Sequence, residues 1–190
     1  MINIQIDAQQ LKQARHMLQG LGSRAAPMLA KSLNRSLRGV RTDASKETRK
    51  VYNVKAGRVR KSFSLQLASR GNLQGRAVSK GERISLLHFG ARPRSPEGRR
   101  PKIGVSVRVM EGRKKIPGSF VARMPGGGIG VFRRKQGAGR LPIRKLTGPS
   151  VPHMLDHDNV QPALEQGAWD RFRNTLEHEL DFYLQKKGLR

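Results

Sequence analysis

The chain has 190 residues, of which 39 are lysine or arginine and 13 are aspartate or glutamate, so its formal net charge is +26. A basic excess of this size favours a polyanionic partner, nucleic acid above all, and the length fits a single domain over residues 1–190. The absence of cysteine excludes disulfides, cysteine nucleophiles and thiolate metal sites.

A membrane partner is not expected. No segment approaches the roughly 18 consecutive apolar residues that a membrane-spanning helix needs. The first ten residues also lack the basic and apolar regions of a signal peptide.

The first third of the chain is predicted to form a short strand and two helices. Apolar and polar residues alternate from Ile2 to Ile6, as in a strand, and Asp7 can then cap a helix over 8–19. A longer helix is predicted from Ser23, because apolar residues recur at spacings of three and four. This stripe comprises Ala26, Leu29, Leu33, Leu37, Val40, Ala44 and Val51. The opposite face is basic and is interpreted either as solvated or as a nucleic-acid contact: Lys31, Arg35, Arg38, Arg41, Arg49 and Lys50.

The centre of the chain changes to a period of two, which predicts antiparallel strands joined by hairpins. These strands are predicted at 63–67, 73–79, 103–109, 119–124 and 129–135. Between them, residues 91–102 carry several prolines and bases and are predicted to be a basic, Pro-rich loop or arm. A C-terminal amphipathic helix is predicted from about Val160 to Gln185. The order of these elements predicts an α+β fold with a central antiparallel sheet.

The glycine run at 126–130, "GGGIG", is predicted to be the tip of a hairpin. A phosphate-binding P-loop needs a Lys followed by Ser or Thr after its last glycine, and none follows here. A dinucleotide-binding loop needs a following helix, whereas "GVFRRKQGAGR" is a poor helix former.

The stretch "HMLDHD" contains the side chains that most resemble metal ligands: His153, Asp156, His157 and Asp158. A third, distant ligand is missing from the pattern, so capping of the terminal helix by Asp158 or Asn159 is the preferred interpretation, with metal binding as the alternative. No histidine or serine stands in a recognisable nucleophile context. We therefore predict no enzyme, no catalytic residue, no cofactor and no metal site.

The charge is unevenly distributed. Residues 31–145 hold 31 bases and five acids, a net charge of +26, whereas residues 156–181 hold seven acids and two bases, a net charge of −5. This asymmetry fits a head-to-tail oligomer in which the acidic segment of one subunit meets a basic face of the next. It fits equally an acidic helix that neutralises the basic part of its own chain.

Basic residues cluster in predicted loops and at predicted strand ends. The residues expected to face DNA phosphates or a protein partner are Arg92, Arg94, Arg99, Arg100, Lys114, Lys115, Arg133 and Arg134. Aromatic residues make up only 5% of the chain, which argues against base stacking and favours sequence-independent attraction to phosphates. The alternative is that these charges keep the protein soluble or pair with acidic proteins.

Several stretches resemble the minor tail protein Z family of long-tailed bacteriophages. The resemblance rests on "KKIPGSFVARM", the glycine turn with "GVFRRK", "RLPIRKLTGPSVPHML" and the amphipathic helix that follows, with a weaker similarity in "ASKETRKVYNVKAGRVRKSF". The chain is also similar to phage neck proteins with an "HFG"-like strand end, here His88 to Gly90. The arm at 91–102 departs from the family pattern.

The resemblance implies a structural virion protein that completes the tail and helps to join it to the head. Such a protein would form a ring, usually sixfold in these tails, around the DNA channel, and would meet tail terminator and head-connector proteins and double-stranded DNA. It would be located in the tail or neck of the virion, and in the host cytoplasm during assembly. The alternative function is a nucleic-acid-binding protein of the ribosome- or nucleoid-associated type that does not read sequence.

Overall fold

The computed structural model describes residues 2–5, 8–97, 102–135 and 141–188. The helices are α1 (Ala8–Met17), α2 (Ala25–Val51), α3 (Ala56–Lys61), α4 (Val151–Leu155) and α5 (Gln161–Lys186). The strands are β1 (Ile2–Gln5), β2 (Phe63–Gln66), β3 (Arg76–Ser79), β4 (Gly104–Val107), β5 (Lys114–Pro117), β6 (Ser119–Arg123), β7 (Ile129–Arg134) and β8 (Ile143–Lys145). The predicted α+β class is confirmed, with one long N-terminal helix, antiparallel strands and a C-terminal helix.

The long helices α2 and α5 pack against each other in antiparallel directions. Lys31 near the start of α2 pairs with Glu179 near the end of α5, and Asp43 in the second half of α2 pairs with Arg171. The predicted apolar stripe of α2 faces inward, and its central residues are at most 2% exposed: Leu29, Leu33, Leu37, Val40 and Ala44. Full burial of each leucine stabilises the fold by roughly 1.5–3 kcal/mol, so this helix pair is a main source of stability.

Two hydrophobic clusters lie along this helix pair. The larger cluster joins the second half of α2 to α4, the first half of α5 and the strands, with Phe89 and Met154 fully buried in its centre. The smaller cluster joins α1 to the first half of α2 and the second half of α5, around Leu33 and Phe172. The strands are therefore held at the end of the helix pair where α2 ends and α5 begins.

The predicted central sheet consists of three small antiparallel sheets, ordered β1–β3–β2, β4–β5 and β6–β7–β8. Ser119 connects the second and third sheets, because its Oγ accepts a hydrogen bond from the Val105 amide at 2.9 Å and donates one to the Ile116 carbonyl at 2.6 Å. The segment 84–86 extends the third sheet by pairing with 146–148, since the Gly148 amide donates to the Ile84 carbonyl at 2.7 Å.

The glycine run forms the tip of the β6–β7 hairpin, as predicted. The strands pair in register from Ser119 opposite Arg133 to Arg123 opposite Ile129. In the connection, the Gly127 amide donates to the Met124 carbonyl at 2.9 Å, and Gly126 and Gly127 have φ values of 94° and 84°. Glycine adopts this left-handed region without the steric cost that a Cβ would add, so the run serves the turn.

Several local predictions differ from the structure. The long helix begins at Ala25, because Gly22–Arg24 form a 3-10 turn. Leu86–His88 also form a 3-10 turn, so the expected strand end at "HFG" is wrong. The sequence patterns gave no indication of α3, β5 or β8. Asp7 lies outside the described residues, so its predicted capping role has no structural counterpart here.

No helix in the described ranges has both the length and the apolar character that crossing a membrane requires.

Candidate nucleic-acid interface

Arg92 and Lys115 lie in one row across the second sheet, on either side of Ser106. Arg92 and Ser106 exchange backbone hydrogen bonds of 2.8 and 3.0 Å, and Ser106 pairs in register with Lys115 on β5. Residues directly opposite each other in an antiparallel ladder project from the same face. The two exposed cations therefore point to one side of the sheet, and the fold brings together two residues that are far apart in the sequence.

Arg113 adds a third cation to this row. Its Nη1 donates to the Gly90 carbonyl at 2.8 Å, to the Ser106 carbonyl at 3.1 Å and to Ser106 Oγ at 3.3 Å. The guanidinium is thus held in place by neutral acceptors, which leave its charge uncompensated. We call Arg92, Arg113 and Lys115 the sheet-face cluster.

Lys114 does not belong to the sheet-face cluster. It pairs with the buried Val107, so its side chain leaves the opposite face of β5 and lines an apolar groove instead. Arg94 is exposed in the loop after Arg92, and Arg99 and Arg100 lie outside the described residues. Of the four arginines predicted in the basic arm, the structure therefore describes Arg92 and Arg94.

The side chains of Arg133 and Arg134 also lie on opposite faces of their sheet, because neighbouring residues in a strand point to opposite faces. Arg133 pairs in register with Arg144 on β8, which puts two exposed cations side by side. The Arg134 guanidinium carbon lies 5.6 Å from the centroid of the Phe120 ring, a cation–π arrangement on the other face. Both arginines reach the rim of one small cavity of about 280 Å³.

A further basic cluster surrounds His88 and was missed by sequence reasoning. Burial lowers the pKa of His88, and the positive charges of Arg58, Lys55 and Lys145 lower this pKa further. Lys55 and Arg58 belong to α3 and its first flanking residue, whereas Lys145 ends β8. We call Lys55, Arg58 and Lys145 the His88 cluster. The bases of "KAGRVRK" were the only sequence signal for it.

The basic face of α2 is solvated along most of its length. Arg35, Arg38, Lys46 and Arg49 are exposed, and none of them forms an ion pair within the described part of the chain. Arg41 is half-buried and donates to the Arg60 carbonyl at 3.3 Å. The predicted basic face is therefore present, with Arg41 turned toward α3.

The acidic segment neutralises its own chain only in part. Glu179 pairs with Lys31 at 2.7 Å, which supports the intramolecular interpretation for one acid. Among the described ion pairs, none involves the four acids at the start of the segment: Asp156, Asp158, Glu165 and Asp170. Their charge remains available to a basic neighbour.

The "HMLDHD" stretch spans the end of α4 and the start of the turn that leads to α5. The His157 ring stands edge-on to Tyr52, with centroids 5.8 Å apart, and His157 Nδ1 accepts a hydrogen bond from the Asn159 amide at 3.3 Å. Val160 is the residue that caps α5, without a side-chain hydrogen bond, so the prediction that Asp158 or Asn159 caps this helix is wrong. In the described ranges no three candidate ligands, His153 included, come together as a metal site.

The arrangement as a whole can attract phosphates but offers little to read bases. The cations project from strand faces, from α3 and from α2, and the described surface near them exposes no row of aromatic rings. Phe120 and Phe132 form a pair with centroids 6.4 Å apart, and Arg134 covers Phe120. Contacts of this kind would be electrostatic and independent of sequence.

Comparison with known proteins identifies the family. No curated protein and no solved structure matches the chain. The family described as prophage minor tail protein Z (GPZ) matches residues 9–187, which span all five helices from the second residue of α1 and seven of the eight strands. The chain therefore belongs to the prophage minor tail protein Z family.

Proposed function

We propose that this protein completes the phage tail and helps to join it to the head, as a homo-oligomeric ring around the DNA channel. The family is one of structural proteins of the phage tail. The neck location, the ring and its neighbours, a tail terminator and a head connector, are our proposal. The family resemblance favours sixfold symmetry for the ring.

The observation that carries this proposal is the surplus of exposed, uncompensated cations on several faces of the fold. The sheet-face cluster, the His88 cluster and the α2 face all project bases with few acidic partners. In a free monomer these charges repel one another. A ring that encloses a polyanion would offset the repulsion, because each subunit would turn at least one basic face toward phosphates.

The same surfaces suggest which of the predicted basic residues face DNA phosphates and which face a protein partner. We propose that Arg92, Lys115 and Arg133 face phosphates, because each shares one face of its sheet with a second cation. Lys114 and Arg134 leave the other faces of their strands and are proposed as protein-facing. Arg94 is exposed two residues after Arg92, and we assign it to phosphates as well.

The direct test is to produce phage particles that lack this protein. We expect DNA-filled heads and full-length tails that fail to join, and joining should be restored when the purified protein is added. Particles that join normally without the protein would exclude a role in completing the tail.

Binding to duplex DNA tests the phosphate contacts. We expect affinity that falls steeply as salt rises and that is equal for unrelated sequences, because counterion release dominates such binding. Affinity without salt dependence would contradict phosphate contacts. Preferential binding of RNA by a monomer would instead favour the ribosome- or nucleoid-associated alternative.

A further inference from the structure

Three cations stand around a small cavity at the end of the β7–β8 ladder. Arg133 pairs in register with Arg144, and the Lys135 amide donates to the Pro142 carbonyl at 3.2 Å, which carries the ladder on by one more pair. Alternate residues of a strand project from the same face, so Arg133, Arg144 and Lys135 share one side of the sheet. All three are exposed.

The cavity lies at the end of the sheet face that packs on the core. Leu146 lines it, and the Leu146 amide donates to the carbonyl of the fully buried Val131 at 2.8 Å. Its volume is about 280 Å³, whereas pockets for drug-sized ligands measure roughly 300–1,000 Å³. It therefore suits one small chemical group. We call it the β7–β8 cavity.

The charges around the β7–β8 cavity are not compensated. Within the described part of the chain it is lined by four bases and no acid, and none of these bases forms an ion pair: Arg133, Arg134, Lys135 and Arg144. Arg134 lies over the Phe120 ring on the other face, which leaves three cations for the cavity. Like charges directly opposite each other in a ladder are destabilising, and a bound anion would offset this repulsion.

The kind of anion follows from the donors. A planar guanidinium donates two parallel hydrogen bonds to a carboxylate or a phosphate, whereas lysine supplies a point charge. One such arginine occupies both oxygens of a carboxylate. The oxygens of a phosphate are arranged tetrahedrally, so they can accept from Arg133, Arg144 and Lys135 together. The donor set therefore favours a phosphate group.

We propose that the β7–β8 cavity binds one phosphate group between Arg133, Arg144 and Lys135, and that in the assembled tail this phosphate belongs to the DNA backbone. The first half of the inference concerns the isolated protein, and the second half rests on the proposed position around the DNA channel. The cavity then fixes where the backbone crosses the third sheet, and it adds Lys135 to the residues that face phosphates.

Calorimetric titration of the full chain with inorganic phosphate tests the site itself. The ionic strength is held constant with sodium chloride, so that screening does not change during the titration. We expect saturable binding of one phosphate per subunit. Arg144→Gln should weaken this binding about five- to tenfold, because an exposed ion pair contributes up to about fivefold in affinity and a bidentate contact adds to it.

Arg123→Gln is the matched control, because it makes the same change on the same sheet. Arg123 is exposed and pairs with Ile129, four residues along the ladder from Arg133. That spacing is about 13 Å, which exceeds the roughly 8–10 Å over which exposed charges act at moderate salt. Phosphate affinity should therefore stay nearly unchanged. Equal losses in the two variants, or no saturable binding by the wild type, would overturn the site.

Thermal unfolding in chloride separates a ligand site from a structural role. Arg144→Gln should unfold at the same temperature as the wild type or at a higher one, because it removes the repulsion with Arg133. A clear drop in the unfolding temperature would show that Arg144 supports the fold, and would contradict a site built for a ligand.

Competition with duplex DNA identifies the source of the phosphate. At constant ionic strength, inorganic phosphate should weaken DNA binding by the wild type but not by the Arg133→Gln, Arg144→Gln double variant. Phosphate that binds at the cavity without weakening DNA binding would overturn the assignment to DNA, and the cavity would then serve a free phosphate or an acidic protein. None of these readouts depends on whether tails join to heads, so this inference and the proposed function can fail separately.

Discussion

Arg171 of α5 donates two hydrogen bonds to Asp43 of α2, at 2.5 Å from Nη1 to Oδ2 and 3.2 Å from Nη2 to Oδ1. Arg171 is a basic residue on the acidic helix α5, and Asp43 is an acidic residue on the basic helix α2. Each residue therefore has the opposite charge to most of the charged residues around it. The side chains are 34% and 19% exposed, which shields the pair from solvent more than the Lys31–Glu179 pair, where Lys31 is 63% exposed. The pair fixes the register of the two long helices.

Loss of this pair should destabilise the fold. We expect Asp43→Asn to lower the free energy of unfolding by about 1.5–3 kcal/mol, the usual range for a hydrogen bond to a charged group. Denaturant titration of the wild type and the variant measures this difference. As a control, Lys31→Gln should cost at most about 1 kcal/mol, because exposed pairs contribute little.

A double-mutant cycle isolates the interaction itself. Asp43→Asn combined with Arg171→Gln should cost clearly less than the sum of the two single changes, because both remove the same contact. Additive losses would show that the two residues act independently of each other.

Gly104 is required at the start of β4 by its backbone. Its φ is 135°, and a Cβ at this position would collide with the Ile116 carbonyl oxygen of β5. We expect Gly104→Ala to destabilise the protein by at least about 2 kcal/mol, because backbone strain in this region costs on the order of 1–3 kcal/mol before any clash.

Gly57 in α3 provides the matched control. An added Cβ there meets nothing within 4 Å, and alanine is the better helix former. Gly57→Ala should therefore leave stability unchanged or raise it by up to about 1 kcal/mol. Equal thermal shifts for the two alanine variants would contradict the close approach of β4 and β5 at Gly104.

The His88 cluster predicts a pH dependence with a definite sign. The pKa of His88 is lower in the folded protein than its ordinary value of 6.5, so the unfolded chain binds the proton more tightly. The stability linked to His88 is complete above pH 6.5 and is lost as the pH falls through the folded pKa. In the His88→Gln variant, the free energy of unfolding should change less with pH below 6.5 than it does in the wild type.

Neutralising the cluster should raise the pKa of His88. Arg58→Gln removes one of the positive charges, so the imidazole should protonate at higher pH, which an NMR titration of the ring protons would detect. Binding of duplex DNA at this cluster should shift the pKa in the same direction. An unchanged His88 titration in the DNA complex would place the phosphates elsewhere.

Arg133 and Arg144 test the phosphate contacts of the third sheet. We expect Arg133→Gln with Arg144→Gln to weaken DNA binding equally for all sequences and to reduce the salt slope by up to about two, since each lost phosphate contact removes roughly 0.9. Arg173→Gln on α5 removes the same charge from another surface and should leave the slope nearly unchanged. If Arg173→Gln reduced the salt slope as much per lost charge as the double variant does, the total charge of the protein alone would set its affinity for DNA.

The long helices and the hairpin tip could be predicted from the sequence because their signals are local. The stripe from Leu29 to Ala44 repeats over several turns, and the glycine run separates two alternating segments. β5 has no such signal: "KKIP" contains one half-buried apolar residue, Ile116, and forms a strand because β4 lies beside it. α3 and β8 are short elements whose burial depends on distant parts of the chain.

The candidate site was predictable in composition but not in arrangement. Lys114 and Lys115 are adjacent in the sequence and were expected to act together, yet the strand sends them to opposite faces. Arg133 and Arg134 separate for the same reason. Conversely, Lys145 is far from Lys55 and Arg58 in the sequence, and the three act together on His88 only because of the fold. Adjacent charges indicate a shared surface in loops, but not in strands.

The most direct test of the proposed role is a density map of the assembled virion at the junction between head and tail. We predict a closed ring of this protein at the head-proximal end of the tail, coaxial with the DNA channel. Density for this protein at the distal tip of the tail, or single copies that form no ring, would contradict this role.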